Sequence, residues 1–171
     1  MRRAYSRSHA NRGAQLERLV DMTNQQYRNK GVADIRKVPT PVKITGHQGN
    51  KITGHTQKGE WVDYVGIRDG RTIVFDAKET SNRTSFPLKN ISEHQYELLK
   101  SWRQKGAHAF LLVSFTKLDE IYLLAFKMLE TYWEGAKKGG RKSIPYMEMT
   151  LHCDRVKSER GYVLHYLKHV G

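Results

Sequence analysis

The sequence predicts an α/β fold in which helices flank a mixed β-sheet and one hairpin projects from it. Three observations lead to this fold class. Segments with helical and strand-like patterns follow one another in the order αβββαββα, which is typical of a mixed sheet covered by helices. Residues 42–60 interrupt this order with few large apolar side chains. The length of 171 residues suits one domain with a substantial core.

The first predicted elements are a helix and a short strand. Residues 11–29 have the apolar spacing of an amphipathic helix, with Glu17 at the edge of the apolar stripe and Gly31 as a C-cap. Residues 33–38 have strand character and are followed by two prolines. The apolar stripe of the helix consists of Leu16, Leu19, Val20, Thr23 and Tyr27.

Residues 42–60 contain an internal repeat. Lys-Ile-Thr-Gly-His occurs at residues 43–47 and again at residues 51–55, and the Gln-Gly-Asn between the two copies favours a turn. Such a segment would be poorly buried. It is either a basic, histidine-bearing finger that enters DNA or a mobile surface loop, and the sequence leaves both interpretations open.

A further hairpin is predicted at residues 61–75. Two β-prone runs flank Arg68-Asp69-Gly70-Arg71, in which Asp-Gly favours a tight turn. Asp63 and Asp76 are nearly equidistant from this turn, so the paired strands bring them together. Lys78 follows Asp76 by two residues and therefore points to the same face of its strand.

These three residues form the pattern Asp-x12-Asp-x-Lys, which indicates metal-dependent phosphate chemistry. Two carboxylates can hold a hard divalent cation through their oxygen atoms. A lysine beside them can hold an attacking water or stabilise charge on a phosphoryl oxygen. The alternative is that acidic and lysine side chains simply decorate exposed strand faces. The position of the hairpin between the two aspartates favours a site.

The second half of the chain continues the alternation of helices and strands. After a polar loop at residues 79–90, Ser92 and Gln95 form a capping box that begins a helix, and Gly106 ends it. The elements that follow are strands at residues 109–115 and 121–126, a helix at residues 127–136 and a short terminal strand at residues 162–167.

The chain is strongly basic. It has 30 Lys and Arg against 17 Asp and Glu, a formal charge of +13 and a pI near 9.9. This balance is typical of a phosphate-binding surface, although a merely basic soluble protein has it too. Residues 1–10 are predicted to be a flexible basic arm, and residues 137–142 a basic turn. The candidate DNA-binding residues are Arg2, Arg3, Arg12, Lys43, Lys51, Lys58, Lys137, Lys138, Arg141 and Lys142.

Several classes of protein are excluded by the same sequence. Cys153 is the only cysteine, so no internal disulfide forms, and no Cys/His cluster has the spacing of a structural zinc site. No apolar run predicts a secretory signal or a membrane span, which indicates a soluble cytoplasmic protein. Residues 135–143 are not a nucleotide-binding loop, because Arg141 takes the place of the lysine and a helix rather than a strand precedes them.

The chain resembles the RecU-type Holliday junction resolvases of bacteria and phages, which are PD-(D/E)xK nucleases. The resemblance covers most of residues 11–144 and is most specific over residues 76–95. The matching stretches are Asn11-Arg12-Gly13 with Glu17, Pro39-Thr40-Pro41, Asp63-Tyr64, Asp76-Ala77-Lys78-Glu79-Thr80, Thr84-Ser85-Phe86-Pro87-Leu88, Glu93-His94-Gln95, residues 114–120 and residues 140–144.

The resemblance implies a restriction-endonuclease-like fold, with residues 11–171 as one nuclease domain and residues 42–60 as a stalk that engages the junction centre. It implies a homodimer that nicks four-way DNA junctions symmetrically, with Mg²⁺ as cofactor and Mn²⁺ as a substitute. Recombination or branch-migration proteins are expected partners, in the cytoplasm of a bacterial cell or of a phage host. The implied site has Asp63, Asp76, Glu17 and the Ala77 backbone carbonyl as metal ligands, Lys78 as the catalytic lysine and Gln95 nearby.

Two departures from the family pattern stand next to the site. Asp76 occupies a position where the family more often has glutamate, and Trp61-Val62 replaces small hydroxyl residues before Asp63. Two alternatives therefore remain open. One is a PD-(D/E)xK nuclease with another target, such as a duplex sequence or a DNA flap. The other is a basic DNA-binding protein without catalysis that remodels recombination intermediates.

Overall fold

The structure is a computed structural model that describes residues 14–56 and 61–171. Its helices are α1 (Ala14–Asn29), α2 (Glu93–Gln104), α3 (Phe126–Lys137) and α4 (Tyr146–His152). Its strands are β1 (Asp34–Lys37), β2 (Val42–Gln48), β3 (Lys51–Thr56), β4 (Tyr64–Arg68), β5 (Arg71–Thr80), β6 (Ser85–Pro87), β7 (His108–Phe115), β8 (Glu120–Ala125), β9 (Ser143–Pro145) and β10 (Asp154–Val156). Leu88–Asn90 and Tyr166–His169 form 3-10 turns.

The centre of the fold is a six-stranded mixed sheet with the order β1-β4-β5-β7-β8-β10. β5 pairs antiparallel with β4 and parallel with β7, and the other neighbours are antiparallel. A parallel pair needs a crossover connection, and α2 lies in the connection between β5 and β7. The predicted α/β arrangement of a mixed sheet flanked by helices is confirmed.

The sheet buries side chains on both faces. Val74 of β5 belongs to a cluster with Tyr96 of α2 and Leu129 of α3. Its neighbour Phe75 belongs to the opposite cluster, together with Val20 of α1. Because alternate residues of a strand point to opposite faces, β5 contributes to two cores at once. The predicted stripe of α1 provides much of the second core.

The predicted terminal strand at residues 162–167 is wrong. This segment forms an isolated bridge between Glu159 and Tyr162 and then a 3-10 turn. Side chains of α1 accept hydrogen bonds from three of its backbone donors, and backbone carbonyl oxygens of residues 157–164 accept from the other three. The bonds to α1 run from Val163 N to Gln26 Oε1 at 2.9 Å, from Leu164 N to Thr23 Oγ1 at 3.0 Å and from Leu167 N to the Tyr27 hydroxyl at 3.1 Å. Each bond joins residues that are far apart in sequence, which a strand prediction cannot anticipate.

Other boundaries also differ from the predictions. The polar loop expected at residues 79–90 contains the end of β5, the short strand β6 and a 3-10 turn. Phe126 begins α3 instead of ending a strand. The short elements β9, α4 and β10 have too few residues to show a period, and they were not predicted. Residues 11–13 of the predicted first helix lie outside the described residues.

β2 and β3 form the hairpin predicted for the repeated segment. Within the described residues they pair only with each other, around a turn in which Gly49 has a φ of 56°. Every residue of the two strands is exposed except Gly46, which is half-buried. A β-bulge lies between Ile44 and Gly46. Residues 57–60 of the predicted stalk lie outside the described residues.

Two glycines offer a test of the packing. A Cβ atom on Gly66 of β4 would lie 2.2 Å from the Asp34 carbonyl oxygen, which β1 holds in place. We therefore expect Gly66→Ala to lower the free energy of unfolding by about 1–3 kcal/mol, as overpacking does. A Cβ atom on Gly135 of α3 would have no neighbouring atom within 4 Å, so Gly135→Ala should stabilise by about 0.5–1 kcal/mol. Urea unfolding of both variants checks the opposite signs.

Candidate active site

Asp63 and Asp76 lie side by side at one end of the β4–β5 pair. The antiparallel register pairs Tyr64 with Phe75, so Asp63 and Asp76 stand at the next position of the ladder. The Asp63 backbone N–H donates to Asp76 Oδ1 at 2.6 Å, and the Ala77 N–H donates to Asp63 Oδ2 at 3.0 Å. Each carboxylate is thus held by the backbone of the opposite strand. These reciprocal bonds fix the two carboxylates relative to each other.

Lys78 completes the group that the sequence pattern predicts. Its ammonium lies 3.4 Å from Asp76 Oδ2 and 3.9 Å from Asp63 Oδ2. The side chain is only 16% exposed, so water screens these attractions less than on an open surface. One cation therefore faces both carboxylates.

Burial makes Asp76 the unusual member of this group. The residue is fully buried, and its Oδ2 atom has no hydrogen-bond partner among the described residues. Lys78 is close enough to attract this oxygen, but the geometry leaves it without a hydrogen bond. Burial raises the pKa of Asp76 to about 6; Lys78 opposes the rise and Asp63 adds to it. An ionised carboxylate in this position needs further positive charge.

The group fits a hard divalent cation. Such cations prefer carboxylate and carbonyl oxygens, and the Asp76 oxygen without a hydrogen bond is a free ligand of that type. Within the described residues, however, no three His, Cys, Asp or Glu side chains are gathered for a metal. The structure therefore brings together a pair of carboxylates with a lysine, and the remaining ligands would be backbone oxygen, water or substrate.

Glu17 does not complete an acidic cluster in this structure. It lies in the first turn of α1, and its Oε2 accepts a hydrogen bond from Lys37 Nζ at 2.5 Å. This bond raises the pKa of Lys37, and the charges of Asp21 and Asp63 contribute to the same rise. Glu17 therefore stands near the site, with its carboxylate neutralised by a lysine of β1. The sequence contained no signal that Lys37 would bind it.

Glu79 of β5 holds the start of α1, and sequence reasoning did not single it out. Its Oε1 accepts a hydrogen bond from the Leu16 N–H at 2.8 Å, which ties the first turn of α1 to β5. Burial raises the pKa of Glu79, the Leu16 bond lowers it, and Glu17 raises it. An orphan N–H of the helix start thus finds an acceptor. Its partner is 63 residues away in sequence, so no local pattern could reveal the pair.

Gln95 forms the predicted capping box of α2. Its Oε1 accepts from the Ser92 N–H at 3.2 Å, and its own N–H donates to Ser92 Oγ at 3.2 Å. The amide oxygen is therefore engaged in the helix cap. A role for Gln95 near the metal site stays a prediction.

The candidate DNA-binding residues are distributed over two described segments. Lys43 and Lys51 lie exposed on the β2–β3 hairpin, and Lys137 at the end of α3 lies 3.7 Å from Glu93. The basic turn after α3 contains the exposed residues Lys138, Arg141 and Lys142. The remaining candidates, Arg2, Arg3, Arg12 and Lys58, lie outside the described residues, as does the predicted arm at residues 1–10.

Comparison with known proteins assigns the chain to a family. A family model described as Recombination protein U matches residues 11–171. The chain therefore belongs to the RecU family. This confirms the resemblance that the sequence motifs predicted.

Individual relatives of the RecU family match along most of the chain. The Holliday junction resolvase RecU of Geobacillus sp. (strain WCH70) is 40% identical over 153 residues, which is 86% of this chain and 76% of that protein. The protein of the same name from Pediococcus pentosaceus is 39% identical over 161 residues, covering 91% of this chain and 76% of the relative. A solved structure, the Holliday junction resolvase Hjc of Archaeoglobus fulgidus, superposes on 81% of this chain and 93% of its own, with a TM-score of 0.47 and 16% identity.

In the part of the chain that the structure describes, every helix is too short or too polar to cross a lipid bilayer.

The raised pKa of Asp76 predicts how the stability of the metal-free protein depends on pH. The folded state keeps the Asp76 proton up to a pH of about 6, whereas an unfolded aspartate loses it near 3.9. Folded protein therefore binds more protons in this window, and stability falls as the pH rises through it. We expect the free energy of unfolding of the wild type to fall by on the order of 2 kcal/mol between about pH 4 and pH 7, and Asp76→Asn to lack this fall.

Urea unfolding in EDTA at several pH values measures this effect. Asp69→Asn is the matched control, because Asp69 lies in the turn of the same hairpin with its side chain 83% exposed. If the free energy of unfolding depended on pH in the same way for wild type and Asp76→Asn, the raised pKa of the buried Asp76 carboxyl would be contradicted.

Proposed function

We propose that this protein is a metal-dependent endodeoxyribonuclease that resolves four-way Holliday junctions during recombination by paired symmetric nicks. The observation that carries this proposal is the Asp63–Asp76–Lys78 group, in which a buried carboxylate oxygen lacks a hydrogen-bond partner among the described residues and a lysine faces both acids. Membership of the RecU family and relatives that bear the name Holliday junction resolvase support the substrate.

Asp63, Asp76 and the Ala77 backbone carbonyl are the proposed ligands of Mg²⁺, with Mn²⁺ as a substitute. When bound, the ion would supply a polarised water as nucleophile and neutralise charge that develops on the phosphate. The backbone bonds from Asp63 to Asp76 and from Ala77 to Asp63 hold the carboxylates in position before substrate arrives. Such preorganisation avoids reorientation during the reaction.

Lys78 is the proposed catalytic lysine. Its ammonium stands between the two carboxylates, where it lowers the cost of keeping both ionised. With the carboxylates engaged by metal, the same charge is available to a phosphoryl oxygen or to the attacking water. Glu17 is proposed as a further carboxylate at the site, and this role requires that its bond to Lys37 be exchanged for one to the metal.

Two sites in a homodimer would account for two nicks placed symmetrically on one junction, because a two-fold axis repeats the active site on both copies. The formal charge of +13 would attract the DNA. We place this activity in the cytoplasm, of a bacterial cell or of a phage host, with recombination or branch-migration proteins as partners.

Substitution at the carboxylate pair and the lysine tests the nuclease. We expect Asp76→Asn and Lys78→Met each to lower the rate of nicking of a mobile four-way junction by roughly a hundredfold or more, as removal of one electrostatic interaction with the transition state does. Junction binding should persist, or improve for Asp76→Asn because a repulsion with phosphate is removed. Nicking and gel-shift affinity are measured together with Mg²⁺ and with EDTA, and Asp69→Asn is the control.

Near wild-type nicking by Asp76→Asn would show that the active site lies elsewhere in the molecule. Equal cleavage of linear duplex and junction by the wild type would instead point to a nuclease with another DNA target. Binding without metal-dependent nicking would favour the DNA-binding protein that lacks catalysis.

Removal of the β2–β3 hairpin tests the proposed stalk. Its strands pair only with each other among the described residues, and nearly all their side chains are exposed. Deleting residues 43–58 with a short linker should therefore change the melting temperature little. Interactions at the open centre of a junction have no equivalent in linear duplex, so the variant should bind both DNAs with similar affinity. A folded variant that still prefers the junction would show that the shape of the dimer is recognised instead.

A further inference from the structure

Two adjoining concavities lie at the end of β5 that is remote from Asp76. Their volumes are about 340 Å³ and 390 Å³, and Arg71, Gly106 and Ala107 line both. Arg71 is the first residue of β5, and Asp76 lies further along the same strand. At about 3.4 Å per residue of strand, the two positions are roughly 17 Å apart. The concavities therefore do not belong to the candidate active site.

The lining is rich in positive charge. The cations are Arg71, Arg103, Lys105 and Lys127, and the imidazoles of His108 and His169 also line the first concavity. Among the described residues that line the two concavities, none is Asp or Glu. A cluster of cations that repel one another lowers stability unless an anion joins them.

The arginines here are not neutralised by the protein. Across residues 14–56 and 61–171, neither Arg71 nor Arg103 lies within 4.0 Å of a carboxylate. The nearby acids have other partners: Asp69 lies 3.2 Å from Arg68, and Asp154 lies 3.3 Å from His169. Two guanidinium groups are thus available to a ligand.

His108 lines the first concavity together with Arg71 and Arg103. Burial lowers the pKa of this imidazole, and the charges of Arg71, Arg68 and Arg103 lower it further. Apolar side chains such as Phe110 form part of the same lining. The guanidinium groups of Arg71 and Arg103 are themselves exposed, so an anion can reach them from solvent and salt screens the attraction.

We propose that the first concavity, which both arginines line and which we call the Arg71–Arg103 pocket, binds phosphate groups at a site separate from the candidate active site. Guanidinium groups match the geometry of phosphate oxygens and bind them in a bidentate manner. The phosphates belong to the backbone of a DNA arm or to a small phosphate compound, since both present the same chemistry. The DNA source rests on the proposed nuclease function. A separation of roughly 17 Å from Asp76 corresponds to about five base-pair steps of 3.4 Å along a strand.

Pyrophosphate and a short DNA duplex are the probes for this pocket. The full chain is titrated with each in EDTA, so that no cleavage occurs, and the His108 ring protons are followed by NMR after assignment with a His108→Gln spectrum. We expect saturable shifts with pyrophosphate and a rise in the pKa of His108, because a bound anion offsets the neighbouring guanidinium charges. Arg71→Gln with Arg103→Gln should weaken pyrophosphate binding at least tenfold.

A matched double variant controls for the removal of two positive charges. Lys157 and Arg160 are exposed and do not line the pocket, so Lys157→Gln with Arg160→Gln should leave the His108 shifts unchanged. For duplex DNA, each phosphate that is no longer neutralised should flatten the slope of log affinity against log salt by about 0.9. We expect the pocket variant to flatten this slope by about 0.9 to 1.8, and by more than the control variant does.

Each outcome has a defined meaning. His108 shifts with both probes support a pocket that holds the DNA backbone, and shifts with pyrophosphate alone support a pocket for a small phosphate compound. Absence of shifts with both, or equal shifts in the pocket variant, would overturn the site. If the double variant fails to fold, Arg103→Gln alone serves, because Arg103 lies exposed near the end of α2. Failure of junction nicking would not affect the NMR titrations, because they are carried out in EDTA without metal.

Discussion

Strand β5 must bury a carboxylate at the place where it also joins two hydrophobic cores. Its residues Val74 and Phe75 point into opposite clusters, while its neighbours β4 and β7 hold it from both sides. Asp76 continues this buried strand and is itself fully buried. Burying a charge is expensive unless a partner is present, so the fold surrounds Asp76 with the Asp63 N–H and the Lys78 ammonium.

This constraint explains how the site is held. Each carboxylate accepts a hydrogen bond from a backbone N–H across the β4–β5 pair, so neither can move away without losing that bond. The hydrogen bond from Leu16 to Glu79 joins the first turn of α1 to the same strand. Glu17, the next residue of α1, is thereby placed where Lys37 of β1 binds it. The acids Asp76 and Glu79 thus lie in the second half of β5, each with a partner, in a chain whose formal charge is +13. At the start of β5, Arg71 and the neighbouring Arg103 of α2 carry positive charge.

Hydrophobic periodicity and turn chemistry were sufficient for the elements that have many residues and local partners. The stripe of α1, the capping box of α2 and the hairpin around Asp69-Gly70 all depend on contacts between residues close in sequence. For the same reason the pairing of Asp63 with Asp76 was predictable, because a symmetric hairpin places them opposite each other. The short strands β6, β9 and β10 have three residues each, too few for a period to appear.

The sequence by itself determined the α/β class, the repeated hairpin, the carboxylate pair with its lysine and the basic charge, since each follows from local spacing or from composition. Only the tertiary structure decided which polar groups meet across long separations. It joined Lys37 to Glu17 and Leu16 to Glu79, and it used α1 side chains to bind the segment that had been predicted as a terminal strand. The physical reason is that a backbone donor or a buried charge pairs with whichever group the packed core brings within reach. A pattern of neighbouring residues contains no information about that partner.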